Sequence, residues 1–174
     1  MLAKSRLLFV MLLLITMSAG AADASREDKI KAGYIYNFAK LVNWPQTESS
    51  LDDTAFKICI MDSNIYKAAA TLAGKDIHGK RAEVKKITAS ESVNTECKII
   101  FLTKSANLDE VLETAKGLPI LTLADTVNFV NKGGIIEMFV ENNKIRFSIN
   151  EKSAIENGLQ ISPRLSGLAN NVIR

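Results

Sequence analysis

Two cysteines, Cys59 and Cys97, and a single histidine, His78, carry the most reactive side chains of this sequence. An even cysteine count in an exported chain suggests one disulfide. Two buried thiols or a metal pair are the alternatives, and a metal would need more ligands than His78 supplies. A bridge would stabilise the fold by about 4 kcal/mol in the chain-entropy model. It also requires Cα atoms about 5.5 Å apart with facing side chains, so the strands holding Cys59 and Cys97 must be neighbours.

His78 lies in Lys75-Asp76-Ile77-His78-Gly79-Lys80, beside a turn glycine. A catalytic triad would need a nucleophile in its own motif, and no G-x-S-x-G occurs. His78 is therefore expected to be an exposed loop residue. Gly133-Gly134 lacks the spacing of a phosphate loop, and no dinucleotide fingerprint follows a strand. No carboxylate pair stands out as acid and base. The residues predict no enzyme, no cofactor and no metal. A different chemistry remains open at strand ends, where Asp62-Ser63-Asn64, Thr103-Lys104-Ser105 and Asp125-Thr126 could hold a small polar ligand against helix N-termini. The same residues also serve as ordinary turns and caps.

These groups need elements to position them. The spacing predicts a helix over 27–42, with Ser25 as N-cap and Asp28 three residues on. Ile30, Tyr34, Phe38, Leu41 and Val42 make its apolar stripe, widened by Ile35 and Tyr36. Trp44-Pro45 stops it, because the residue before proline avoids the α region. Tyr34, Tyr36, Phe38 and Trp44 would suit a partner or dimer interface. A polar loop, 46–54, leads to a buried strand, 56–61. A helix over 65–72 follows and ends at Gly74. A loop (75–80) and a half-buried strand (82–87) come next. Strand 98–102 is the most apolar and is expected to be central. Helix 108–116 stops at Gly117, and strand 119–123 follows. Asp125 is expected to cap a short helix to 131. Strands 135–140 and 144–149 flank a Glu141-Asn142-Asn143 hairpin turn. Helices over 152–157 and 163–173 close the chain, the second with Pro163 in its first turn. Strands alternating with helices give an α/β fold: a single three-layer domain, a mainly parallel sheet flanked by helices, with a C-terminal antiparallel hairpin.

The N-terminus sets an address. Lys4 and Arg6 precede the apolar run from Leu7 to Ile15, and small residues follow from Ser18 to Ala24. That is the layout of a cleavable signal peptide over 1–22, cut near residues 21–24, with residues 23–174 as the mature domain. An apolar core of about 11 residues is too short for a bilayer span, which needs roughly 20. Lys4 and Arg6 leave with the signal, so the formal charge falls from +3 to +1. A near-neutral chain argues against a nucleic-acid partner. Lys80, Arg81, Lys85 and Lys86 read as a solvated strand edge.

The sequence resembles the YfiR family of periplasmic proteins. The matching stretches include Lys31 to Lys40 with Trp44-Pro45, Lys57-Ile58-Cys59-Ile60, Gly79-Lys80-Arg81 and Cys97-Lys98-Ile99-Ile100-Phe101. They continue with Pro119 to Asp125, Gly133-Gly134-Ile135-Ile136, Ile145 to Asn150 and Gly158-Leu159-Gln160-Ile161-Ser162. The resemblance covers roughly residues 28–172. It implies a homodimeric periplasmic repressor that engages the periplasmic sensor domain of an inner-membrane diguanylate cyclase, lowering cyclic di-GMP and biofilm formation. It also implies that Cys59 and Cys97 match one cysteine pair of a redox-sensitive family. The second pair of its best-known member is absent here. The rival expectation is a periplasmic small-ligand-binding protein serving a transporter or sensor.

Overall fold

The computed structural model describes residues 25–45, 54–91, 96–104 and 106–174. The expected signal peptide, most of the polar loop after Pro45, and Ser105 lie outside the described residues. The first described element is helix α1 (Arg26–Leu41). Its start is a complete capping box. The Ser25 hydroxyl accepts from the Asp28 N–H at 3.1 Å, and the Asp28 carboxylate accepts from the Ser25 N–H at 3.1 Å. Losing such a cap costs about 1 kcal/mol. The helix ends at Leu41, one residue before the expected Val42. Val42–Asn43 form a short strand, β1, which withdraws these residues from the helix.

The next strand, β2 (Ala55–Ile60), leads into α2 (Ser63–Ala69), which continues as a 3-10 turn over Ala70–Leu72. The expected loop after it contains strand β3 (Asp76–Ile77), which turns through His78-Gly79 into β4 (Lys80–Lys86). Then come β5 (Ile99–Leu102), α3 (Leu108–Ala115) and β6 (Leu121–Ala124). After β6 only a 3-10 turn, Val130–Lys132, forms. Asp125 does not cap it. Strands β7 (Ile136–Glu141) and β8 (Lys144–Asn150) are antiparallel and in the expected positions. Their turn holds two residues, Asn142 and Asn143, with φ of 51° and 58°. Asparagine tolerates this left-handed region better than other side chains, and the geometry matches the strand twist.

Helix α4 (Glu151–Glu156) follows directly. A two-residue strand, β9 (Gln160–Ile161), pairs with β1. The expected helix over 163–173 is corrected to one turn, α5 (Pro163–Ser166), and a strand, β10 (Asn171–Ile173). Gly167 follows the turn, and Asn170 then donates to the Phe147 carbonyl at 2.8 Å. That bond starts a parallel pairing with β8 that the helical spacing of the sequence conceals.

Among the described residues the large sheet has eight strands in the order β10-β8-β7-β6-β5-β2-β4-β3. The run β4, β2, β5, β6, β7 is parallel. The all-apolar β5 lies inside it, as its sequence predicts. Period-two alternation sorts the side chains. Ile58, Ile60, Ile99 and Phe101 face α1 and α2. Cys59, Ile100 and Leu102 face the other way, toward α3 and Phe129. The result is three layers with a core on each side of the sheet.

Candidate functional site

Cys59 in β2 and Cys97, just before β5, form a disulfide. Their Cα atoms are 5.9 Å apart, and β2 and β5 are adjacent. Both residues are buried, at 0% and 1% exposure, in the core beneath α3. The bond therefore closes this layer from inside.

The strand-end residues do converge. Asp62 follows β2, Thr103 and Lys104 follow β5, and Asp125 and Thr126 follow β6, so neighbouring parallel strands place them along one edge. The edge is already occupied by bonds within the fold. Asp62 Oδ1 accepts from the N–H groups of Asn64 and Ile65, both at 2.8 Å, and so caps α2. Asp125 Oδ2 takes the Lys31 ammonium at 2.7 Å. Lys31, on α1, also holds Glu27 at 2.8 Å. Burial pushes the Lys31 ammonium down, but the hydrogen bonds and attraction of Asp125 and Glu27 outweigh it and hold its pKa above the usual lysine value. Ser63 and Asn64 point to solvent. Among the described residues the Thr126 hydroxyl is buried without a hydrogen-bond partner.

The four aromatic residues of the N-terminal segment do not form one patch. Phe38 is 1% exposed and sits in the core against Phe147, which removes it from any interface. Trp44 packs edge-on against Phe56. Tyr36 donates to the Asp76 carbonyl at 3.2 Å and has the ammonium groups of Lys40 and Lys75 within 5.5 Å and 5.1 Å of its ring centre. Tyr34, two residues away and therefore on another side of α1, donates its hydroxyl to the Ile145 carbonyl at 3.3 Å.

His78 is more than an exposed loop residue. Its Nε2 is 2.8 Å from the Ala39 carbonyl and 3.0 Å from the Val42 carbonyl. Carbonyls only accept, so Nε2 carries a proton shared between them. The ring thus satisfies orphan acceptors at the C-terminus of α1. It holds the β3–β4 turn there, with φ of 52° at His78 itself.

Tyr34 belongs to a cleft that sequence reasoning missed. The first turns of α1 and the β7–β8 hairpin enclose about 650 Å³. Arg26, Ile30 and Tyr34 line one side, and Val140, Lys144 and Arg146 the other. Ile30 is 42% exposed and Val140 54% exposed. Ile30 reads as part of the apolar stripe, but the buried face of α1 is rotated onto Lys31, Ala32, Ile35, Phe38 and Ala39. A buried lysine is what shifts the stripe. Its partner Glu27 stands one helical turn away in the sequence, but Asp125 is brought to it only by the tertiary fold.

Among the described residues no group of three metal-ligating side chains clusters, and no helix is long and apolar enough to cross a membrane. The features together define a small α/β domain with a surface cleft and a core disulfide. The chain belongs to the YfiR/HmsC-like family (DUF4154), whose model matches residues 28–170. A comparison with curated proteins gives no match. Among solved structures, the chain is similar to a conserved domain protein from Vibrio cholerae O1 biovar El Tor, with 8% identity and a TM-score of 0.50. The match covers 81% of this chain and 59% of that one. At this identity the likeness concerns the fold alone. It is also similar, at a TM-score of 0.47 and 14% identity, to the ABC domain in complex with L-Trp from Streptococcus pneumoniae, over 68% of this chain and 55% of that one.

Proposed function

We propose that this protein is a periplasmic regulator that binds the periplasmic sensor domain of an inner-membrane diguanylate cyclase and holds the cyclase inactive. Family membership over residues 28–170 is the observation that carries this reading. The signal-like N-terminus, with Lys4 and Arg6 before the apolar run, supports the same address. Binding would act by population shift: the regulator favours the inactive arrangement because it has higher affinity for it. Cyclic di-GMP would fall, and biofilm formation with it. The family likeness also suggests a homodimer, which sedimentation of the mature chain tests.

Two measurements test the regulatory reading. A deletion strain should show raised cyclic di-GMP, and the tagged protein should enrich a membrane cyclase from cross-linked envelopes. Unchanged cyclic di-GMP together with no cyclase among the cross-linked proteins would refute it. The alternative of a small-ligand carrier draws little support from the strand-end crevice, since Asp62 and Asp125 are engaged inside the fold.

A further inference from the structure

We propose that the cleft between α1 and the β7–β8 hairpin receives an acidic, apolar segment of the partner protein. The proposal deepens the regulatory reading, on which its choice of a protein partner rests. Its volume of about 650 Å³ lies within the range of built ligand sites. Ile30 and Val140, two of the five large apolar side chains exposed among the described residues, both line it. The floor is fixed, because the Tyr34 hydroxyl ties α1 to the Ile145 carbonyl.

Charge selects the occupant. The lining carries Arg26, Lys144 and Arg146 against one carboxylate, Glu27. Lys31 already holds Glu27 at 2.8 Å. Arg146 reaches Glu141 only at 4.0 Å, and Arg26 and Lys144 have no ion pair among the described residues. A second copy of the chain docked here about a two-fold axis would set these cations against themselves, which opposes that occupant. An apolar segment with flanking Asp or Glu satisfies both the Ile30–Val140 gap and the basic rim.

The test uses the mature chain and two synthetic amphipathic peptides, one alternating leucine with glutamate and the other leucine with lysine. The glutamate peptide should bind more tightly, and Arg26→Glu with Lys144→Glu should weaken it by about tenfold or more while favouring the lysine peptide. Both substituted residues are exposed, and a thermal melt confirms folding. Equal binding of the two peptides, or an unchanged double variant, overturns the proposal. So does a dimer that Ile30→Asp dissociates, since a second copy would then fill the cleft. The same variants are measured against the cyclase's purified periplasmic domain. If that domain binds wild type and double variant alike, the cleft proposal falls and the regulatory reading stands. If it binds neither while the glutamate peptide behaves as expected, the regulatory reading falls and the cleft stands.

Discussion

The Lys31 ammonium lies 2.7 Å from the Asp125 carboxylate, joining α1 to the carboxyl end of β6. Lys31 is only 8% exposed at its side chain, whereas Asp125 is 36% and Glu27 48% exposed. The pair is therefore asymmetric. Removing Asp125 leaves a buried ammonium with one partner, and removing Lys31 leaves two carboxylates that water can reach. Asp125→Ala should cost about 2–3 kcal/mol in urea unfolding, and Lys31→Met about 1 kcal/mol or less. The opposite order would show that the carboxylates, not the ammonium, bear the burial penalty.

The same contact sets an alkaline limit. Its folded-state pKa is raised, so the stabilising contribution of Lys31 is fully present below about 10.5. It is lost as pH climbs through the folded value. Wild type should lose stability relative to Lys31→Met only above that pH, and the difference between them should be constant from neutral pH upward to it. Denaturant midpoints at stepped alkaline pH measure this.

Closing the 38-residue separation between Cys59 and Cys97 should stabilise the protein by about 4 kcal/mol. Both cysteines are buried, so dithiothreitol should reduce the native bond slowly, and in step with global unfolding rather than with reductant concentration alone. Rapid trapping of a Cys59 thiol by iodoacetamide after dithiothreitol is added to the folded protein would contradict this.

His78→Ala should destabilise by about 1–2 kcal/mol. It removes the donor to the Ala39 and Val42 carbonyls and leaves a left-handed backbone to a residue that disfavours it. Amide exchange should quicken first at the C-terminal turn of α1. Uniform acceleration across the sheet would show that the ring supports the core instead.

Gly134→Ala tests the packing beneath α3. A Cβ at Gly134 would stand 2.2 Å from the Phe129 ring, and Phe129 is wholly buried. The ring or the strand must move, at a cost of about 1–3 kcal/mol. A neutral substitution would mean that Phe129 has an alternative seat.

Much of this fold is legible in the sequence. The largely apolar stretch Phe56 to Met61 and the apolar run Ile99 to Leu102 mark the parallel core, and Asn142-Asn143 marks the hairpin. The misreadings share a cause. Val42, Asn43 and Asn171 to Ile173 become strands only because a distant segment offers a partner, and no local pattern announces that partner. The cysteine pair is readable because its chemistry is sparse. The cleft is not, since it joins residues near 30 to residues near 140 that only the finished sheet brings together.

That dependence on distant partners has a consequence for the order of events. Helix α1 is made before every other described element, yet its flanking strand β1 needs Gln160 and Ile161, and Leu41 accepts from the amide of Ser162. Its buried face waits for Phe147 and Ile149. If the chain is exported N-terminus first, as the proposed address requires, α1 cannot be locked in place until residues 160–162 have crossed. A two-residue strand near the far end of the sequence is thus the clasp for the first described helix.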